Sequence, residues 1–141
     1  MTYLEIHPMI VHFPIGFITL AFVFQVITIV MPNKVPKHLN LWVLIPAALS
    51  TLPAVISGQN TKENLSDICL EARSTLNNHE LFANITTWGI LLLSFVWIYI
   101  TLKGFADIKV QKLFCAFLCI IFLSAMITGF LGGQLTHLWK I

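Results

Sequence analysis

The feature that most constrains this sequence is the placement of its charged residues, which leaves four long apolar stretches without Asp, Glu, Lys or Arg. These stretches cover residues of about 8–31, 41–57, 81–102 and 113–131. A helix needs about 20 mainly apolar residues to cross the hydrocarbon core of a bilayer, and it satisfies its own backbone polar groups there. The sequence therefore predicts an all-α integral membrane protein, with four transmembrane helices bundled in a single domain over residues 1–141.

Composition excludes several other classes of protein. Of the 141 residues, 57% are hydrophobic and 10% are charged, whereas soluble domains carry about 25% charged residues. A water-soluble monomer and a disordered chain are both excluded. The net charge is only +2, and no basic run is present. We therefore expect the lipid bilayer as a partner and no nucleic acid.

The basic residues of the loops predict the orientation, because cytoplasmic loops are enriched in Lys and Arg. The loops over 32–40 and 103–112 hold five basic residues: Lys34, Lys37, Lys103, Lys109 and Lys112. The other side holds three: Lys62, Arg73 and Lys140. We therefore expect a multi-pass protein of the cell inner (plasma) membrane. Both termini and the middle loop would lie outside, and the two lysine loops in the cytoplasm.

The middle loop, over residues 58–80, has a helical pattern of its own. Its apolar residues recur at helical spacing, at Leu65, Ile68, Cys69, Ala72 and Leu76. Such spacing places them on one face of a helix. We expect a short amphipathic helix that lies on the outer surface with its apolar side down and forms a lid.

In this topology, four of the five histidines belong to the outer end of the bundle: His7, His12, His79 and His137. Histidine is rare in membrane segments, where it tends to be functional, and it is the commonest metal ligand. Imidazoles from three helix ends beneath a lid could ligate a haem iron or another transition metal. The alternative is a set of interfacial histidines that bond to loop carbonyls or lipid headgroups.

The spacing within the first helix separates two of these histidines. His7 and His12 are five residues apart, which places them about 140° apart around a helix. They do not share one face, and the deeper His12 is the first choice as a ligand.

Other residues suit the packing of the helices. Small residues near the outer end of the fourth helix permit close approach of a neighbour or of a flat cofactor: Gly129, Gly132 and Gly133. Five polar residues within the spans are expected to form hydrogen bonds between helices: Gln25, Asn84, Ser94, Ser124 and Thr128.

Two segments resemble a known family. Residues 7–15, His-Pro-Met-Ile-Val-His-Phe-Pro-Ile, resemble the His-Pro-x-x-Val-His-Phe-Pro-Ile signature of the four-helix membrane family known as domain of unknown function 2231. Residues 132–137 resemble the Gly-Gly-x-Leu-Thr-His ending of part of that family. Members are found fused to, or encoded with, Rieske iron–sulfur and c-type cytochrome domains. The resemblance implies electron transfer with haem b in the bundle, held among His7, His12, His79 and His137.

Together these patterns predict a small cytochrome-like membrane subunit that binds one haem b near the outer face. We expect His12 to pair with His79 or His137, and the order of preference as ligand is His12, His79, His137, His7. The expected partner is a redox domain outside the membrane, of the Rieske or c-type cytochrome kind, and glycine-rich faces favour a homo-oligomer.

Two alternatives stay open at this point. The first is a non-haem copper or zinc site made by three or four of the histidines. The second is a cofactor-free structural subunit of a membrane complex. No enzyme motif and no catalytic residue is apparent, so the pattern is more typical of an electron-transfer or binding subunit than of a stand-alone enzyme.

Overall fold

The computed structural model describes residues 3–32, 34–36, 38–63, 65 and 68–139, and within these ranges it contains four α-helices and no strand. The helices are α1 (Tyr3–Val30), α2 (Leu39–Glu63), α3 (Leu70–Lys103) and α4 (Ile108–Leu138). Each one holds a segment long and apolar enough to cross a membrane. The predicted all-α fold with four candidate spans is therefore confirmed.

The four helices form a ring of antiparallel neighbours, as short connections require. α1 packs against α2 and α4, and α3 packs against the same two helices. α1 and α3 therefore occupy diagonal corners of the bundle. We call the end formed by the start of α1, the end of α2, the start of α3 and the end of α4 the histidine end.

Each helix contributes a large apolar side chain that is fully buried in the centre: Ile18, Leu44, Ile90 and Leu118. The outer surface is also apolar, with exposed large side chains on every helix, among them Phe13, Trp42, Leu92 and Phe117. A helix that is apolar all round is typical of a membrane span. The surface therefore favours association with a lipid bilayer.

A polar cluster ties three helices together away from the histidine end. The amide of Gln25 is fully buried and donates from Nε2 to the carbonyl oxygen of Gln111 at 3.1 Å. Its Oε1 accepts a hydrogen bond from Nδ2 of Asn40. Burying an amide without a partner is costly, so these bonds join α1, α2 and α4 at one level.

The polar residues predicted to bond between helices behave differently from one another. Gln25 does so, and Ser124 accepts from the hydroxyl of Thr86 on α3 at 2.9 Å. The hydroxyls of Ser94 and Thr128 instead donate to carbonyls of their own helices. Asn84 has an exposed side chain. Threonine and serine in a helix commonly bond to the carbonyl one turn earlier, which explains the difference.

The amphipathic lid helix is not confirmed. Residues 58–63 are the end of α2 and residues 70–80 are the start of α3; of the connection between them, only 65, 68 and 69 are described. Two residues of the apolar face that predicted a separate helix, Ala72 and Leu76, belong instead to α3, and Ala72 is buried. The helices continue past their apolar stretches because packing at the ends, rather than the bilayer alone, supports them.

One other boundary differs from the sequence prediction: α1 begins at Tyr3 and contains Pro8, rather than starting there. The connection from α3 to α4 carries a stop and a start signal for the helices. Gly104 has a left-handed φ of 72°, and the carboxylate of Asp107 accepts from the backbone N–H of Val110 at 2.8 Å. The orientation in the membrane stays a prediction; Lys37 and Lys140, which it used, lie outside the described residues.

Candidate functional site

A partly open cavity of about 400 Å³ lies at the histidine end of the bundle. All four helices line it, and much of the lining is apolar, with Val11, Ile15, Ile18, Val55 and Leu135 among its residues. Pockets for small ligands and cofactors measure about 300–1,000 Å³ and are mostly apolar with a few polar groups. The cavity therefore has the size and the lining of a ligand site.

Two histidines from diagonal helices meet at this cavity. The ring of His7 on α1 and the ring of His79 on α3 have centroids 6.4 Å apart, and their planes are inclined at 85°. Both side chains are half-buried. Because α1 and α3 are not neighbours in the ring of helices, these two imidazoles span the interior between opposite corners.

The hydrogen bonds around His7 define which ring nitrogen holds the proton. Nδ1 of His7 lies 2.8 Å from the hydroxyl oxygen of Ser57, and that hydroxyl donates its own proton to the carbonyl of Ala54 at 2.9 Å. The hydroxyl oxygen must therefore accept, so Nδ1–H of His7 donates. In the neutral ring, Nε2 keeps a free lone pair.

His79 has an equivalent arrangement. Its Nδ1–H donates to the backbone carbonyl of Thr128 on α4 at 3.0 Å. A carbonyl can only accept, so the neutral ring again has its lone pair on Nε2. A hydrogen bond to one ring nitrogen is what sets the tautomer and orientation of a metal-ligating histidine.

Glycines make room for both rings. A Cβ added at Gly58 would lie 3.1 Å from Cε1 of His7, and one added at Gly132 would lie 3.2 Å from Cε1 of His79. In each helix pair, α1 with α2 and α3 with α4, a histidine of the first helix rests on a glycine of the second. The two halves of the bundle thus present their imidazoles in the same manner.

Comparison with known families identifies the chain. The sequence profile of the family described as "Predicted membrane protein (DUF2231)" matches residues 4–141. The chain belongs to this family. The resemblance seen in the sequence is thereby confirmed at the level of the family. No curated protein and no solved structure matches the chain.

The other two predicted ligands of this DUF2231 protein border the cavity but are exposed. Nδ1–H of His12 donates to the carbonyl of Pro8 on its own helix, and its side chain is exposed. His137 is exposed near the end of α4. The structure therefore brings together His7 and His79, the last and the second residues in the order inferred from the sequence. The fifth histidine, His38, is exposed on the connection before α2.

A larger metal cluster is not found. Over the described part of this DUF2231 chain, no three or more His, Cys, Asp or Glu side chains are grouped so that they could hold a metal ion. Structural zinc sites have four ligands, and catalytic ones keep three from the protein. The copper or zinc site of three or four histidines therefore has no support from the structure.

An ion pair stands at the rim of the cavity. Nζ of Lys62, at the end of α2, lies 2.8 Å from both carboxylate oxygens of Glu80 on α3. The two side chains are 49% and 37% exposed. Both residues border the cavity, so the pair links two helices where the cavity meets the surroundings.

Sequence analysis did not predict Ser57, Gly58 or Lys62 as residues of the site in this DUF2231 protein. One signal was present in the pattern: Ser57 and Gly58 form a pair of small residues at the end of the second apolar stretch, much as Gly132 and Gly133 follow the fourth. Small residues in membrane helices favour close approach. Two such pairs at the same end of the bundle indicate two places where a larger side chain can pack closely against a helix.

Proposed function

We propose that this membrane protein binds one haem b in the cavity at the histidine end, where His7 and His79 would hold its iron, and serves as an electron-transfer protein or subunit. The observation that supports this most strongly is the pairing of two imidazoles from diagonal helices, each with Nδ1–H held by the neighbouring helix.

The separation of the rings is compatible with both imidazoles holding one metal. With a metal–nitrogen bond of about 2.0–2.1 Å, two imidazoles in line through a metal have centroids about 6.3–6.5 Å apart, whereas tetrahedral ligation brings them to about 5.2 Å. The observed separation is 6.4 Å. Perpendicular ring planes are compatible with the in-line arrangement, because that arrangement sets the separation of the rings and not the angle between their planes.

The residues around the pair suit this role. The bonds to Ser57 and Thr128 hold each ring in one tautomer and leave Nε2 as the ligand atom. Apolar residues line much of the cavity and limit the access of water. Electrostatic interactions with nearby charges are therefore stronger there than in water. A bound haem supplies one-electron transfer, and its axial ligands and surroundings set the potential.

The proposal includes a partner. If His7 and His79 both held the iron, a bound haem would supply one-electron transfer, so electron exchange with a second redox centre is the expected activity. Because the cavity lies at one end of the bundle, we expect such a centre at that same face. We propose a Rieske or c-type cytochrome domain there, on the outer side of the plasma membrane.

The test is a reduced-minus-oxidised visible spectrum of the detergent-purified protein, with total metal analysis of the same sample. We expect a sharp b-type band with one iron per chain. His7→Ala and His79→Ala should each abolish the six-coordinate spectrum. His12→Ala and His137→Ala, which alter neighbouring histidines of the same end, should retain it.

Each other result contradicts a specific part of the proposal. A spectrum lost in His12→Ala but kept in His7→Ala would restore the ligand order inferred from the sequence. A colourless protein with stoichiometric copper or zinc would overturn haem binding. A colourless, metal-free protein expressed with ample haem would make the histidines structural, as in a cofactor-free subunit.

A further inference from the structure

We infer that Lys62 binds the carboxylate of the ligand that occupies the cavity, and that Glu80 holds Lys62 in place until this ligand arrives. The inference rests on the proposed function, because haem b carries two propionates on one edge of an otherwise apolar macrocycle. It assigns to this ion pair a role in binding and in orienting the cofactor.

The position of Lys62 relates it directly to the histidine pair. Lys62 is one helical turn beyond Gly58, the residue on which the ring of His7 rests, and residues four apart lie on the same helix face. Glu80 follows His79 on α3. The ion pair therefore joins the two helices next to both imidazoles.

The charges around the cavity single out this lysine. Among the described residues, Lys62 is the one Lys or Arg that borders the cavity, and Glu80 is the one Asp or Glu. The other polar groups of the lining are hydroxyls, amides and imidazoles, such as Thr51, Asn84 and Thr87. Among the described residues of the lining, Lys62 is therefore the one full positive charge that a carboxylate can meet.

Desolvation determines which way the ligand faces. Moving an unpaired carboxylate from water into an apolar interior costs far more free energy than its new contacts return. The apolar edge of the ligand therefore occupies the depth of the cavity, near Ile18, and the carboxylate edge stays at the rim. Lys62 lies at that rim, with its side chain 49% exposed.

The exchange of partners is feasible because the pair with Glu80 is weak. An ion pair between half-exposed side chains contributes little to stability, since water and salt screen it. If His7 and His79 held the ligand, its carboxylates would lose less conformational entropy on pairing with Lys62 than a mobile side chain such as Glu80 does. The ligand thus replaces Glu80 as the main partner of the ammonium group.

The experiment compares haem with its dimethyl ester, in which both carboxylates are blocked. Both porphyrins are titrated into the haem-free full-length protein in detergent, and the Kd is read from the six-coordinate spectrum. The variants are Lys62→Gln, Glu80→Gln and the control Lys103→Gln, which removes an exposed lysine at the other end of α3.

We expect Lys62→Gln to weaken haem binding by about tenfold and to leave the affinity for the ester unchanged. Glu80→Gln should leave haem binding unchanged or strengthen it, because it removes a competitor for Lys62. Lys103→Gln should have no effect. A loss of haem affinity in Lys62→Gln without a loss in Glu80→Gln distinguishes ligand binding from a structural role of the pair.

Three results would overturn the inference. If both porphyrins bind the unaltered protein equally and Lys62→Gln changes neither, the carboxylate is not recognised, while the histidine ligation stands. If Lys62→Gln and Glu80→Gln weaken both porphyrins alike, the pair is structural. If neither porphyrin produces the spectrum of two axial histidines, the proposed function fails and this inference fails with it.

Discussion

His7 and His79 lie on diagonal helices of the bundle, and their ring centroids are 6.4 Å apart. Each ring is oriented by a hydrogen bond from Nδ1–H to the helix that follows its own in sequence. Two independent helix pairs therefore point equivalent imidazoles toward one cavity. This relationship leads to predictions about the bonds, the glycines, the polar cluster and the orientation of the chain.

The hydrogen bond to His7 is tested by Ser57→Ala. The change removes the acceptor for Nδ1–H, so the ring loses its fixed tautomer, and haem affinity should fall by about 10- to 100-fold. The matched control is Ser50→Ala, since Ser50 is on the same helix and its hydroxyl donates to the carbonyl of Ala47 in the same way. Equal affinities of the two variants in a haem titration would show that this bond does not orient the ring.

The close contacts of His7 with Gly58 and of His79 with Gly132 are tested by Gly58→Ala and Gly132→Ala. The new Cβ would lie 3.1 Å from Cε1 of His7 or 3.2 Å from Cε1 of His79, so the ring must move. We expect each variant to lower the thermal unfolding midpoint, with a loss of about 1–3 kcal/mol in stability, and to weaken haem binding.

Gly16→Ala is the control for the glycine variants, because a Cβ at that position meets nothing within 4 Å. This change should leave the midpoint unaltered or raise it, as alanine is the better helix former by about 1 kcal/mol. If Gly132→Ala binds haem as tightly as Gly16→Ala, the contact between Gly132 and His79 is not needed for haem binding.

The polar cluster predicts that substitutions of Gln25 and Asn40 have non-additive effects on the free energy of unfolding. Gln25→Met leaves the amide of Asn40 without its acceptor, and the cost of an unpaired buried donor is about 1–3 kcal/mol. The double variant Gln25→Met with Asn40→Leu replaces both partners by apolar groups and should recover part of this loss. Thermal unfolding in detergent measures both, and purely additive losses would argue against the bond.

The orientation is tested through the cysteines. Cys69 is exposed at the histidine end, while Cys115 and Cys119 are half-buried on α4. If the histidine end faces outward, a membrane-impermeant maleimide should label Cys69 in right-side-out vesicles, and Cys69→Ser should remove the signal. Labelling of Cys69 only in inside-out vesicles would reverse the topology inferred from the lysine loops.

Several features could be predicted without coordinates because each depends on a local stretch of sequence. An uncharged stretch of about 20 residues predicts a span whatever it packs against. The alternation of spans and loops then brings the ends that hold His7 and His79 to one side. The lid helix is not confirmed, because a helical apolar face shows that a segment packs, but not whether it continues a neighbouring helix.

The sequence by itself determined that this protein is a four-span helical bundle with histidines gathered at one end. Only the tertiary structure decided that His7, rather than His12, meets His79. Successive residues are about 100° apart around a helix. Because the apolar stretch of α1 is apolar all round, it has no polar face that would indicate which side of the helix faces the interior. The rotation of α1 depends on side-chain packing against α2 and α4, where Gly58 and Ser57 receive the ring of His7.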